Sequence, residues 1–155
     1  MLIPVNKIDD EIEKLIKNEC GERYTVMQRI MKGNYGSHRY KLIKISPKYP
    51  NLNLENHNNN IFLNFDLRDK GIVFYFRYKN KEYVEFCSYT QISFQSNDCL
   101  FVLQTDKYLY NFNIINKKNH LKFISKIYQF IEKKVRRKYN FIKIYLLSII
   151  CSSIR

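Results

Sequence analysis

The fold is decided by residues 61–115, which read IFLNFDLRDKGIVFYFRYKNKEYVEFCSYTQISFQSNDCLFVLQTDKYLYNFNII. Apolar and polar residues alternate through this stretch with a period of two, which is typical of β-strands with one buried face. Short polar segments at 69–71, 79–81 and 96–98 interrupt the alternation and predict turns. Connections this short join antiparallel neighbours, because a parallel crossover needs about a dozen residues. The stretch therefore predicts an antiparallel meander.

Seven strands are expected in total, because the segment Tyr40–Ser46 also alternates and precedes a polar, asparagine-rich loop. Gly71 is expected to take a positive φ in the first turn, since glycine does so without steric cost. The six strands of the meander are placed at 61–67, 72–78, 83–88, 92–94, 100–105 and 108–115.

Helices are predicted on both sides of these strands. Residues 7–20 place apolar side chains on one face and acids in the first turn, where the helix dipole favours them, and residues 24–31 show a shorter helical pattern. A last helix is predicted from about residue 116 to about residue 138, and we expect it to cover the apolar side of the strands. Its predicted apolar stripe consists of Leu121, Ile124, Ile127, Tyr128, Ile131 and Val135.

Residues 39–138, with seven antiparallel strands followed by one amphipathic helix, resemble a pleckstrin-homology-like (PH-like) domain of the bacterial kind. The run Tyr89-Thr90-Gln91-Ile92-Ser93-Phe94, followed by FVLQTDKYLYNFNI and a helix, is similar to the second half of such domains. The resemblance implies an α+β fold in which the meander bends into a seven-stranded barrel capped by the C-terminal helix. It also implies a binding or scaffolding module, although fold alone never determines function.

The family's phosphoinositide-binding members carry a cluster of Lys and Arg around the first strand and its loop. This region has only Lys41, Lys44 and Lys48 here, so headgroup binding is not carried over from the resemblance. The family's eukaryotic members usually have a Trp in the C-terminal helix, and this chain contains none.

The chain of 155 residues fits one domain with terminal additions. We divide it into an N-terminal helical extension (1–38), the PH-like domain (39–138) and an apolar C-terminal tail (139–155). Acidic residues follow the start before any long apolar stretch, so no signal peptide is expected. The four cysteines are scattered without a CxxC pair, which indicates reduced thiols and favours a cytoplasmic location, with membrane association as an alternative.

The charge is strongly uneven along the chain, whose net charge is +13. Residues 1–22 hold six acids against three lysines, whereas residues 117–143 hold ten basic residues against Glu132 alone. An AT-rich coding sequence also produces abundant Lys, Asn, Ile and Tyr, which is a second explanation for the basic charge. The candidate polyanion-binding residues are Lys117, Lys118, Lys122, Lys126, Lys133, Lys134, Arg136, Arg137 and Lys138.

These basic residues suit either of two anionic surfaces. They could contact the phosphates of a nucleic acid, which gives salt-dependent affinity that is largely independent of sequence. They could equally meet an anionic membrane. The apolar tail after them has three open interpretations: it packs on the domain or its N-terminal helix, forms a homodimer interface, or anchors the protein at a membrane.

No constellation of residues predicts an enzyme, a cofactor or a metal site. His38, His57 and His120 lack partners at metal-ligand spacing and are expected on the surface. Asp66 and Glu85 alternate with apolar neighbours, which predicts that both carboxylates point away from the core into solvent. The sequence thus favours a non-enzymatic PH-like module that binds a protein partner or an anionic surface. The alternatives are a peripheral or tail-anchored membrane protein and a nucleic-acid-binding protein.

Overall fold

A computed structural model of the protein describes residues 1–5, 10–32, 36–50, 52–54 and 60–133. The chain is an α+β protein whose described strands form two antiparallel sheets, followed by a C-terminal helix. Its elements are β1 (Leu2–Val5), α1 (Asp10–Cys20), α2 (Val26–Lys32), β2 (Tyr40–Ser46), β3 (Ile61–Leu63), β4 (Phe65–Leu67), β5 (Gly71–Tyr78), β6 (Lys81–Ser88), β7 (Ser93–Ser96), β8 (Leu100–Gln104), β9 (Leu109–Ile114) and α3, which is helical over residues 117–133. The predicted antiparallel pairing is confirmed.

The strands divide between a four-stranded sheet, in the order β1-β6-β5-β4, and a five-stranded sheet, in the order β3-β2-β9-β8-β7. The prediction of one continuous meander is wrong, because β6 and β7 belong to different sheets. Between them, Tyr89 N donates to Lys70 O at 3.0 Å and Gln91 N donates to Ser88 O at 3.0 Å, so this connection turns away from the first sheet. In the described pairings, each sheet ends in an edge strand on both sides. The two sheets therefore do not close into a barrel.

The strand predicted over residues 61–67 is two strands. β3 pairs with β2 in the five-stranded sheet, and β4 pairs with β5 in the four-stranded sheet. The backbone changes partner at Asn64, yet the alternation continues, so Leu63 and Phe65 are both buried in the same core. One alternating run therefore serves both sheets, which periodicity alone does not reveal.

The first strand, β1, was not predicted from the sequence. It pairs with β6 in the register Ile3↔Val84 and Pro4↔Tyr83 at the edge of the four-stranded sheet. An edge position suits Pro4, which has no backbone N–H to donate to a second neighbour. Four residues interrupted by a proline are too short a run to show a recognisable period.

The main core lies between the two sheets and is rich in aromatic rings. The ring of Phe65 lies 4.9 Å from that of Phe74, 5.1 Å from that of Phe112 and 5.4 Å from that of Phe123. Phe123 and Ile127 bring α3 onto this core. The prediction that α3 covers the apolar side of the strands is thus confirmed.

The predicted apolar stripe of α3 is wrong in part. Leu121 and Tyr128 are each 60% exposed, whereas Phe123 and His120 are buried. The buried face is rotated toward these two residues because their rings reach the aromatic side chains of Tyr40 and Phe101. Val135 lies outside the described residues.

The four-stranded sheet is buried on its other face too. Ile12, Ile16 and Cys20 of α1 pack against Val73, Val84 and Phe86 in a second apolar cluster. Both faces of β5 and β6 are therefore largely covered, and a side chain that alternates with Val84 and Phe86 points into the main core.

Gly71 has a different role from the one predicted. Among the described glycines only Gly21 has a positive φ, of 86°. A Cβ on Gly71 would meet the backbone oxygen of Cys87 and would lie 2.8 Å from Cys20 Sγ. Gly71 is thus needed because the backbones of β5 and β6 and the end of α1 approach closely there.

Candidate functional site

The basic residues of α3 form a stripe along its solvent side. Lys118, Lys122 and Lys126 follow one another at intervals of four residues, which places them on one face of the helix. Lys118 and Lys122 are exposed and Lys126 is half-buried. Lys133, two turns further on, is exposed and has its ammonium group 5.9 Å from the ring centre of Phe130. We call these four residues the lysine stripe.

The remaining predicted polyanion-binding residues are placed differently. Lys117 forms an ion pair with Asp98 at 2.5 Å, and both side chains are exposed. This pair offsets part of the charge of Lys117 at the start of α3. Lys134, Arg136, Arg137 and Lys138 lie outside the described residues.

A cleft of about 210 Å³ lies beside the middle of the lysine stripe. It is lined by Gly36, His38, Asn119, Lys122, Phe123 and Lys126. The segment that forms its far wall is held by backbone pairing to β4. Ser37 N donates to Phe65 O at 2.8 Å, and Phe65 N donates to Ser37 Oγ at 2.7 Å.

The cleft is electropositive. Burial, and secondarily the positive charge of Lys122, lower the pKa of the Lys126 ammonium. None of the lining residues that the structure describes is a carboxylate, and His38 is exposed, as predicted for it. Two ammonium groups that face the same space repel each other, and a bound anion relieves that repulsion. The arrangement is therefore suited to hold a phosphate or another anion.

A larger cleft, of about 570 Å³, lies between the end of α1, the start of α2 and the turn before β5. Its lining carries charges of both signs, including Glu22, Arg23 and Asp69. Lys17, also in the lining, forms an ion pair with Glu22 at 2.7 Å. Mixed charges partly satisfied by each other indicate no preference for a ligand of either sign.

Glu85 is not solvated, and the prediction that it points into solvent is wrong. The residue is 1% exposed, its Oε2 accepts a hydrogen bond from the Tyr110 hydroxyl at 2.7 Å, and its Oε1 accepts one from the Met1 amino group at 2.8 Å. Because α1 occupies the other face of β6, the carboxylate turns into the space between the sheets. Burial, followed by the nearby Glu85 charge, raises the pKa of Tyr110.

Asp66 lies on the outer side of its sheet, as predicted, but guanidinium groups surround it. Its Oδ1 is 3.1 Å from Arg29 Nη2, and its Oδ2 is 3.6 Å from both Arg23 Nε and Arg68 Nε. The Arg68 side chain is 3% exposed and also contacts Glu13 Oε1 at 3.4 Å. This cluster ties α1 and α2 to β4, so we interpret it as structural.

His120 is buried, which contradicts the predicted surface position. Its Nδ1 lies 2.6 Å from the Tyr40 hydroxyl, and its Nε2 lies 2.6 Å from Ser96 Oγ. A serine beside a histidine is the arrangement of an activated nucleophile. However, none of these three residues lines any of the four described cavities. The hydrogen bonds instead join α3 to β2 and to the edge strand β7 of the five-stranded sheet.

Only part of the cleft beside the lysine stripe could be predicted from the sequence. The lysine spacing in α3 was visible in the sequence, whereas the contribution of Gly36 and His38 to the cleft was not, because it depends on a bridge between Gly36 and Asp66 across 30 positions of the chain. No group of three or more His, Cys, Asp or Glu among the described residues could hold a metal ion. His57 lies outside the described residues.

A scan against models of protein families finds no match to this chain, and a search of curated proteins finds none either. Within the described residues, no helix combines the length and the apolar character needed to cross a bilayer.

Proposed function

We propose that the protein is a non-enzymatic binding module of the PH-like kind, and that it docks on an anionic membrane surface through the lysine stripe. The observation that carries this proposal is the convergence of Lys122 and Lys126 on one cleft whose described lining residues include no carboxylate. The PH-like assignment is supported by the order of the elements from β2 to β9, with a helix after the last strand that packs on the shared core.

A membrane fits this surface better than a nucleic acid does. The stripe consists of lysines, whose ammonium groups act as point charges and lack the planar stacking that arginine offers to bases. On the adjoining side of the same helix, Leu121 and Tyr128 are largely exposed. An aliphatic side chain and a tyrosine beside lysines suit the interface between lipid headgroups and acyl chains.

The expected strength is modest. A basic residue near an anionic bilayer contributes about 1 kcal/mol, so the four lysines of the stripe together contribute about 4 kcal/mol, or roughly a thousandfold in partition. Such binding weakens as salt screens the charges. The proposal therefore describes a reversible, peripheral association.

The test compares two double variants of equal net charge. Lys122→Gln/Lys126→Gln removes the centre of the stripe, whereas Lys79→Gln/Lys81→Gln removes two lysines, one in the turn between β5 and β6 and one at the first residue of β6. Binding to vesicles that contain phosphatidylserine is measured by co-sedimentation at several salt concentrations, with phosphatidylcholine vesicles and double-stranded DNA as parallel ligands.

We expect the first variant to lose about 30-fold in vesicle affinity, since two lysines contribute about 2 kcal/mol, and the second to bind like the wild type. Equal losses in both variants would mean that only net charge matters. Tighter binding to DNA than to vesicles would favour the nucleic-acid alternative. Either result contradicts the proposal.

A further inference from the structure

α2 exposes an apolar face to solvent. Its sequence, VMQRIMK, spaces four apolar residues so that they share one side of the helix. Their exposed fractions are 74% for Val26, 66% for Met27, 73% for Ile30 and 78% for Met31. Scattered single apolar residues are normal on a surface, but a contiguous group of this kind marks an interaction site. We call these four residues the α2 patch.

The polar side of α2 faces the four-stranded sheet. Arg29 donates to Asp66 Oδ1 of β4 and to Tyr24 O, both at 3.1 Å. Thr25 N donates to Gln28 Oε1 at 2.9 Å and Gln28 N donates to Thr25 Oγ1 at 3.3 Å, which caps the start of the helix. A helix of seven residues is marginal alone, so these polar contacts fix its position. α2 is therefore anchored by its polar side and presents its apolar side outward.

The charged groups that hold α2 in place sum to a positive charge. They are the guanidinium groups of Arg23, Arg29 and Arg68 and the carboxylates of Asp66 and Glu13. Three cations against two anions leave one positive charge in this cluster. Lys17 and Glu22, near the end of α1, neutralise each other in an ion pair at 2.7 Å. These charges favour an anionic partner for the α2 patch over a cationic one.

The α2 patch lies close to the lysine stripe. Asp66 binds Arg29 of α2, and its backbone forms an antiparallel bridge with Gly36. Gly36 lines the cleft beside the middle of the lysine stripe. The four residues from Lys32, at the end of α2, to Gly36 span at most about 14 Å. A small domain is about 30 Å across, so a single extended surface is large enough to contact both features.

The composition of the α2 patch suits acyl chains. Its side chains are aliphatic or thioether groups, and it has none of the aromatic rings or arginines that anchor most protein interfaces. A second copy of the chain is a poor partner, because each copy has a net charge of +13 and carries a lysine stripe near this patch. An anionic bilayer accepts both the apolar side chains and the nearby lysines.

We propose that the α2 patch inserts into the boundary between headgroups and acyl chains of an anionic membrane, which rests on the proposed function for the identity of that membrane. The lysine stripe then supplies the part of the affinity that salt screens, and α2 supplies a part that salt does not screen. The protein contacts the bilayer at two places, on α2 and on α3.

The first test measures binding of the full-length chain to phosphatidylserine vesicles over a range of salt concentrations. Met27→Gln/Ile30→Gln makes the α2 patch polar. Leu15→Gln/Ile43→Gln is the matched control, since it makes the same change at two exposed apolar residues on α1 and β2. Lys122→Gln/Lys126→Gln is measured in parallel.

We expect Met27→Gln/Ile30→Gln to lose at least about tenfold in affinity at every salt concentration, because it removes apolar area that insertion would bury. Lys122→Gln/Lys126→Gln should instead weaken the dependence on salt, and the control should bind like the wild type. If the α2 variant binds like the wild type, or if the control loses as much, the inference is wrong, while a loss in the lysine variant still supports the proposed function. A loss in the α2 variant alone supports insertion and contradicts the proposed role of the stripe. Wild-type protein that binds no anionic vesicle contradicts both.

The second test reports the surroundings of the patch directly. Met27→Cys is labelled with a polarity-sensitive fluorophore in a Cys99→Ser/Cys151→Ser background, since Cys20 and Cys87 are buried. Ile43→Cys provides the control probe. We expect the Met27 probe to shift to the blue when phosphatidylserine vesicles are added, and the Ile43 probe to stay unchanged. A blue emission without vesicles overturns the inference, because the patch would then be covered by the chain itself or, where the shift depends on protein concentration, by a second copy.

Discussion

Arg29 of α2 donates a hydrogen bond to Asp66 of β4 at 3.1 Å, and this contact turns the polar side of α2 toward the sheet. The same carboxylate faces the guanidinium groups of Arg23 and Arg68. A single acid thereby organises three basic side chains from three parts of the chain. Arg68 is buried, so its charge depends on this carboxylate and on Glu13 for compensation.

Replacing Asp66 with Asn should destabilise the protein by about 3 kcal/mol, because the buried Arg68 charge would lose the less exposed of its two carboxylate partners. Arg23→Gln is the matched control. Arg23 is mostly exposed and lies 3.6 Å from Asp66, so its loss should cost less than about 1 kcal/mol. Urea unfolding followed by circular dichroism measures both values. Equal costs for the two variants would show that the cluster is only a surface ion-pair network.

Glu85 provides a second prediction, since its carboxylate lies between the sheets. Glu85→Ala leaves the Tyr110 hydroxyl without its acceptor in a buried site, and we expect a loss of about 3 kcal/mol. Glu82→Ala, on the same strand but exposed, should change the free energy of unfolding by less than about 0.5 kcal/mol. The comparison uses denaturant unfolding at neutral pH. If the two variants behaved alike, Glu85 would be solvated, as its alternation with Val84 and Phe86 first suggested.

The buried position of His120 leads us to expect that the free energy of unfolding depends on pH. Burial lowers the pKa of its imidazole, so the folded state holds this group neutral at pH values where the unfolded chain protonates it. A lowered pKa means that the contribution to stability is present above the ordinary value of about 6.5 and is lost as the pH falls through the folded-state pKa. Between these two values the loss is up to about 1.4 kcal/mol per pH unit.

The measurement is the free energy of unfolding between pH 7 and pH 5 for wild type, His120→Gln and His38→Gln. The His120 variant should show a weaker decline than wild type, whereas the variant at exposed His38 should follow the wild-type curve. Parallel curves for all three proteins would exclude a contribution from His120.

The close contacts around Gly71 predict that any side chain at this position destabilises the fold. A Cβ at this position would meet the backbone oxygen of Cys87 and the Sγ atom of Cys20, and neither backbone strand can move without disturbing the sheet. Gly71→Ala should therefore cost about 3 kcal/mol through overpacking. At Gly21 a Cβ would meet only ordinary contacts, so Gly21→Ala should cost about 1 kcal/mol through its positive φ. Thermal unfolding ranks the two, and a reversed order would contradict the close approach at Gly71.

Apart from β1 and the division of residues 61–67 into two strands, the sequence by itself determined which segments are strands and helices, because a period of two or 3.6 is a local property. The bounds of β2 agree with the prediction, and β5, β6, β8 and β9 deviate from it by one or two residues. The lysine spacing on α3 was equally local. These features need no knowledge of distant neighbours, so they can be derived from the order of the residues.

Only the tertiary structure decided which sheet each strand joins and which face of it is covered. Alternation gave Glu85 and Val84 opposite faces of β6, but α1 packs on the Val84 side and so turns the carboxylate into the core. The same dependence on distant partners placed His120 under the five-stranded sheet and His38 beside Lys122. Burial is a property of what packs against a residue, and contacts between residues far apart in the chain leave no periodic signal in one sequence.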